Sequence, residues 1–221
     1  KKVVEEKADI GFAFDGDGDR LIAVDDKGNE IDGDKIIALF AKYLINKKKI
    51  NSKFPVVTTV MSNLGLENFL LKDLGIKLKR SPVGDINVIE EMKKNKSFLG
   101  GEQSGHIILS DFSKTGDGIL AALKITEIIS IIKKSASLIF DLYDNFPQIK
   151  VNITYKKISE INKKKILNLN KIYRKDKKFR LLIRLSGTEP LIRLLVEGID
   201  EKIVEQTAKL LSKKIRNILG Q

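Results

Sequence analysis

Cysteine is missing altogether from the 221 residues, and histidine occurs once. Without thiols there is no disulfide framework and no thiolate metal site, a composition that fits a cytoplasmic protein. No apolar run approaches the roughly 20 residues that span a bilayer, and the start, Lys1-Lys-Val-Val-Glu-Glu, is no secretory signal. That start also lacks an initiator Met and leads almost directly into a strand, so the chain reads as part of a longer protein. Aromatic residues are scarce at 6%, which decides how the net charge of +12 is understood. A nucleic-acid surface clusters its cations and interleaves arginines or stacking rings. Here the lysines are spread along the chain, in runs such as Lys47-Lys48-Lys49 and Lys163-Lys164-Lys165. No nucleic-acid partner and no membrane partner is expected. The excess is a solvated surface that also draws in small anions.

With 42% hydrophobic residues, the chain has enough apolar material for one to three folded domains. Residues 9–14 read as a short buried strand and 21–24 as a second, with a turn signal at Asp25-Asp-Lys-Gly-Asn29. A helical stripe over 34–48 follows an Asp cap. Strand and helix then alternate: strand 55–61, helix 64–74, strand 76–80, helix 85–94, strand 97–99 and a long helix over 117–133. Such alternation indicates an α/β layer on a largely parallel sheet, with functional loops at strand C-termini. The pattern breaks around 135–147. Beyond it come a strand (149–155), a helix, strands at 179–185 and 191–197, and a helix from Asp200, the outline of a small α+β domain.

The stretch "AFDGDGDRLIAV" puts Asp15, Asp17 and Asp19 at alternate positions between glycines. Glycine permits backbone angles that fold such carboxylates toward one centre. Three carboxylates with no His or Cys make a hard oxygen site suited to Mg²⁺, Mn²⁺ or Ca²⁺. An EF-hand fits poorly, because its glycine position holds Arg20, its closing Glu position holds Asp26, and strands flank the loop. Three anionic ligands leave positions open for water or a phosphoryl oxygen, and Arg20 stands ready to hold a phosphate beside the metal. A haloacid-dehalogenase type of site, in which Asp15 would accept the phosphoryl group, matches the start of the motif but not its third Asp or Arg20.

Three further stretches carry polar groups at high density. "GGEQSGHIILSD" groups Glu102, Gln103, Ser104 and His106 after a strand, a set suited to sugar hydroxyls or an amine, with His106 in the range of a general acid or base. "RLSGTEPLIR" offers Arg184, Ser186, Gly187, Thr188 and Arg193, the parts of a phosphate cradle without a metal. Ser186-x-x-Glu189 could instead be a helix capping box, but Pro190 and the β-like residues after it argue against a helix there. "TVMSNLGLE" and "KTGDGI" read first as helix caps, at Ser62 or Asn63 and at residues 115–118, and second as cleft linings.

Together these stretches resemble the α-D-phosphohexomutase family. "DGDGDR" is similar to its Mg²⁺ loop, "GEQSGH" to its sugar loop and "RLSGTEPLIR" to its phosphate loop, in the family's order and across essentially the whole chain. Gln103, with "MSNLGLE", "VGD" and "TGDGI", is most similar to the branch acting on glucosamine phosphates. The resemblance implies four domains around a cleft, of which this chain would hold the end of domain 2 (1–33), domain 3 (34–142) and domain 4 (143–221). That is a mixed-sheet α/β body followed by a small α+β domain. The phosphorylated serine loop would lie in a domain that these residues do not include, so Ser104 is not the nucleophile. The resemblance further implies one Mg²⁺ on Asp15, Asp17 and Asp19, a catalytic role for Arg20, and a hexosamine phosphate gripped by Glu102, Gln103 and Ser104; the catalytic role expected of His106 rests on its own chemistry. The phosphate would rest on Arg184, Ser186, Gly187, Thr188 and Arg193. Ile86 and Asn87 stand where the family pattern usually has Arg and Tyr, and Leu185 where it usually has Pro.

Overall fold

The computed structural model describes residues 1–47, 53–173, 178–187 and 189–221. Lys48 and Lys49 of the first lysine run lie outside the described residues, as does Thr188 of the expected phosphate loop. The chain divides into two compact units, Lys1–Asp144 and Asn145–Gln221.

Unit 1 opens with a single helical turn, α1 (Lys2–Glu5), and an antiparallel sheet in the order β1-β2-β3, built from Ile10–Phe14, Leu21–Asp25 and Glu30–Ile31. The register pairs Phe14 with Leu21, so residues 15–20 form the whole connection between the first two strands. The expected buried strand at 9–14 is only half-buried, and Ala13 and Phe14 are exposed, because β1 is the edge of its sheet. The second sheet has the order β5-β4-β6-β7, from Leu78–Ser81, Val56–Thr59, Leu99–Gly101 and Ile107–Leu109. Its β4 pairs are parallel, while β7 runs antiparallel to β6. The sequence reading missed β7, whose three residues are all buried and therefore show no alternation.

Helices α2 (Gly33–Asn46), α3 (Leu64–Lys72), α4 (Asp85–Asn95), α5 (Gly118–Ile132) and the short α6 (Ala136–Phe140) complete this unit. Three of them begin on a side-chain cap: Asp32 accepts from the Lys35 N–H, Asn63 from Gly65, and Asp117 from Leu120. The core joins Ile36, Ile37 and Phe40 of α2 to Leu66 and Leu70 of α3, Leu99 and Ile107 of the sheet, and Ile125 and Ile128 of α5. A smaller cluster under α4 gathers Val57, Val88, Met92 and Ile108. Ile107 and Ile108 thus face opposite sides of the sheet, which makes it the middle layer.

Unit 2 is an antiparallel sheet in the order β8-β10-β9 (Gln148–Thr154, Leu191–Gly198 and Phe179–Leu185) with α7 (Glu160–Tyr173) and α8 (Glu201–Leu219). Along α8, Val204, Ala208, Leu211 and Ile215 are buried at helical spacing against Ile153, Ile192, Leu194 and Val196. Each large apolar side chain buried there contributes about 1.5–3 kcal/mol. Asp200 caps α8 through the Ile203 N–H, and Gly220 ends it in the left-handed region. Among the described residues, no helix is long and apolar enough to cross a membrane.

Candidate active site

The β1–β2 connection draws one carboxylate oxygen each from Asp15, Asp17 and Asp19 to within 4.8 Å of one another. Of the loop glycines only Gly18 takes a positive φ, +73°, which turns the chain so that Asp19 returns toward Asp15. The Arg20 backbone N–H donates to Asp15 Oδ1 at 3.2 Å, and the Arg20 Nε lies 3.7 Å from Asp15 Oδ2 and 3.8 Å from Asp19 Oδ1. The two carboxyls respond in opposite directions. Burial and then the Asp17 charge push the Asp19 carboxyl up, against the pull of His106. Burial acts upward on Asp15 too, but the Arg20 backbone N–H, the Asp19 carboxyl and the Arg20 guanidinium hold it below the ordinary carboxylate range. Asp19 Oδ1 is withdrawn from solvent and accepts no hydrogen bond among the described residues. An oxygen-only donor set with a desolvated oxygen of this kind fits a hard divalent cation.

The 102–106 loop leans directly on this connection. The Leu21 N–H donates to Gly105 O at 3.0 Å, and Arg20 bridges to His106. His106 is 1% exposed, with Nε2 3.5 Å from Asp19 Oδ2. Gly116 packs on its ring so closely that a Cβ would lie 2.2 Å from Nε2. Among the described residues neither ring nitrogen has a hydrogen-bond partner. Glu102 is buried; its Oε1 accepts from the Gly84 N–H at 3.0 Å and its Oε2 from Ser104 Oγ at 3.4 Å. Gln103 turns back toward α2, where its Nε2 donates to Asp32 Oδ2 at 3.1 Å.

Unit 2 presents a second, separate arrangement. Arg184 on β9 pairs directly with Arg193 on β10, so two guanidinium side chains share one face of an antiparallel ladder. Like charges in that position are destabilising. Both Nε atoms are buried without a hydrogen-bond partner among the described residues. Burial, then the Arg193 charge, lowers the pKa of the Arg184 guanidinium. Arg193 Nη2 donates to Glu189 Oε2 at 3.1 Å, and Arg184 has no carboxylate of its own among the described residues. Ser186 Oγ accepts from the Glu189 N–H at 3.3 Å, the first bond of a capping box, yet the chain continues into β10 instead of a helix. Gly187 is exposed with open space around it.

The family comparison covers both units. Residues 32–146 match the model described as phosphoglucomutase/phosphomannomutase, alpha/beta/alpha domain III, and residues 148–214 match that family's C-terminal domain. The chain belongs to the phosphoglucomutase/phosphomannomutase family. Among curated relatives, the phosphoglucosamine mutase of Natranaerobius thermophilus is 42% identical over 219 residues, 98% of this chain and 49% of that protein. That of Caldanaerobacter subterraneus is 48% identical over 226 residues, with 99% and 49% covered. The chain therefore spans about half the length of these relatives. In fold it is similar to a phosphoglucomutase/phosphomannomutase family protein from Burkholderia thailandensis, at a TM-score of 0.80 and 22% identity over 98% of this chain and 48% of the other. It is also similar to the Aspergillus fumigatus N-acetylphosphoglucosamine mutase in complex with GlcNAc-6P and magnesium, with TM-score 0.73, 19% identity, and 94% and 48% covered.

Within this phosphohexomutase frame, the sequence reading overlooked several polar residues around the starts of α2 and α3. Arg80 donates from Nη1 to Ser62 O at 2.7 Å and from Nη2 to Glu67 Oε2 at 2.9 Å, and so clips the loop ahead of α3. The buried Asp34 accepts the Asn63 N–H at 2.8 Å. The available signal was "IDGDKI", where a cap Asp is followed two residues later by another Asp in the first helical turn. Of the departures from the family pattern, Ile86 is 65% exposed and Asn87 bonds back to Val83 O, while Leu185 packs against the unit 2 core.

Proposed function

We propose that the protein containing this chain has phosphoglucosamine mutase activity and interconverts glucosamine 6-phosphate and glucosamine 1-phosphate in the cytoplasm. The observation that carries the reading is the cross-strand pair Arg184 and Arg193, two cations on one face whose buried Nε atoms have no hydrogen-bond partner among the described residues, which calls for a bound anion such as a phosphate. The hexosamine choice is supported by relatives named phosphoglucosamine mutase at 42–48% identity.

In this reading Asp15, Asp17 and Asp19 hold Mg²⁺, as their oxygen-only set allows. The ion supplies charge neutralisation on the phosphoryl group. Arg20, already beside Asp15 and Asp19, orients a phosphoryl oxygen. Glu102 and Ser104 Oγ accept from sugar hydroxyls, while Gln103 belongs to the same loop. His106, the expected proton carrier, is buried under Gly116 with Nε2 facing Asp19, so in this reading it supports that carboxylate from behind instead of meeting the sugar. The phosphate that is not reacting rests on Arg184, Ser186, the Gly187 backbone, Thr188 and Arg193. A phosphoserine outside these 221 residues gives its phosphoryl group to O1 of the sugar. The resulting 1,6-bisphosphate reorients and returns its 6-phosphoryl group to the serine.

A panel of glucosamine, N-acetylglucosamine, glucose and mannose 6-phosphates on the complete protein tests this. Fastest turnover is expected on glucosamine 6-phosphate, and equal or faster turnover of another sugar overturns the hexosamine assignment. Mutase activity in the 221-residue chain alone overturns the placement of the phosphoryl donor elsewhere.

A further inference from the structure

The middle residue of the sugar loop does not share the orientation of its neighbours. Glu102 and Ser104 bond to each other, whereas Gln103 reaches the first turn of α2. Its backbone is fastened there as well, since the Gly33 N–H donates to Gln103 O at 3.0 Å. The seat is tight: a Cβ on Gly33 would lie 2.0 Å from Glu102 O, so only glycine fits. Asp32 uses one oxygen to cap α2, accepting from Lys35 N–H at 3.1 Å, and the other to receive the Gln103 amide. On its far side the loop is held by Leu21, the residue that follows Arg20.

We infer that Asp32 and Gln103 form a latch seating the 102–106 loop on the N-terminus of α2, and that Gln103 is a positioning residue which sets Glu102 and Ser104 toward the sugar. The inference rests on the reading of this loop as the sugar site. It assigns the contribution of Gln103 to sugar binding to a contact inside the protein. A ligand therefore senses Gln103 only through the placement of Glu102 and Ser104.

Exchanging the partners of the latch tests it. Gln103→Glu sets a second carboxylate against Asp32 and breaks the bond. Asp32→Asn keeps the helix cap, because Asn caps as well as Asp, and restores a donor facing Glu at position 103. Alone, Asp32→Asn is mild, since the Gln103 amide can flip to accept. Hydrogen exchange of the Gly33, Gly105 and Leu21 amides is expected to quicken about tenfold in Gln103→Glu and to return within about twofold of wild type in the double variant, with the α2 amides beyond the first turn unchanged throughout. Exchange like wild type in Gln103→Glu, or no restoration by Asp32→Asn, overturns the latch. The affinity for glucosamine 6-phosphate is expected to fall and recover in step, by about tenfold. Unchanged affinity with a loosened loop overturns the positioning role. If no variant, wild type included, binds glucosamine 6-phosphate, the sugar-site reading fails, and the exchange data by themselves decide the latch.

Discussion

The two units solve the same electrostatic problem with opposite signs. Unit 1 crowds three carboxylates within 4.8 Å, and unit 2 sets two arginines opposite each other on adjacent strands. Each cluster has partial relief from within, Arg20 in the first case and Glu189 in the second. Among the described residues each also keeps desolvated polar atoms unsatisfied: Asp19 Oδ1 in one, the Arg184 and Arg193 Nε atoms in the other. Buried polar groups are ordinarily hydrogen-bonded, so a residue of unpaired charge on both sides points to ligands of complementary sign. The supports differ. The carboxylates sit on a six-residue connection wedged against the buried His106, while the arginines are fixed by strand register.

The sharpest way to break this comparison is to remove its acidic member. Asp17→Ala in the complete protein is expected to lower kcat about a thousandfold or more while unit 1 stays folded; turnover near wild type sinks the metal assignment. On the basic side, Arg193→Met keeps the aliphatic stem and removes the charge. The affinity for sugar phosphate should fall about a hundredfold, in line with about 1.5–3 kcal/mol for a charged hydrogen bond. Unit 2 should melt no lower than before, because a like-charge pair has gone. A lower melting temperature would mean that the pair stabilises the fold.

A third crowded charge, on α2, belongs to neither cluster and serves as a control. Burial, then the Asp32 charge, pushes the Asp34 carboxyl from 3.8 up to about 6. A carboxyl that holds its proton more tightly when folded favours folding at low pH and loses that advantage as pH rises through about 6. Asp34→Asn should therefore stabilise unit 1 by about 2 kcal/mol at pH 8, and by nothing below pH 4. Thermal melts across that range check the sign. The smallest effect is a shift of a few degrees from ligands. Mg²⁺ should raise the melting of unit 1 alone and inorganic phosphate that of unit 2 alone, and a shift in the wrong unit dissolves the contrast.

Much of this was legible in the chain. The helical stripe of α2 and the Asp117 cap of α5 appeared close to their observed bounds, because apolar periodicity and capping chemistry are local. So did the strands β9 and β10 with the turn between them. The lost pieces were β7, too short and too buried to alternate, α6, a five-residue helix in the segment where the pattern broke, and the still shorter α1 and β3. At the site, the aspartate spacing announced a cluster and "IDGDKI" announced acidic groups at the start of α2, but no local signal announced the distant partners of Arg80 and Gln103. Arg80 sits 18 residues from its Ser62 acceptor, and Gln103 sits 71 from Asp32.

By itself, then, the sequence determined the donor chemistry: an oxygen-only acidic loop, a lone histidine, and a turn with two arginines. Residue types and short spacings encode those groups directly. Only the tertiary structure decided that Arg184 and Arg193 are cross-strand partners, that His106 is sealed against Gly116, and that Gln103 points toward Asp32 instead of following Glu102. Register and packing between distant segments set those contacts, and they arise when buried surfaces find their one mutually compatible arrangement.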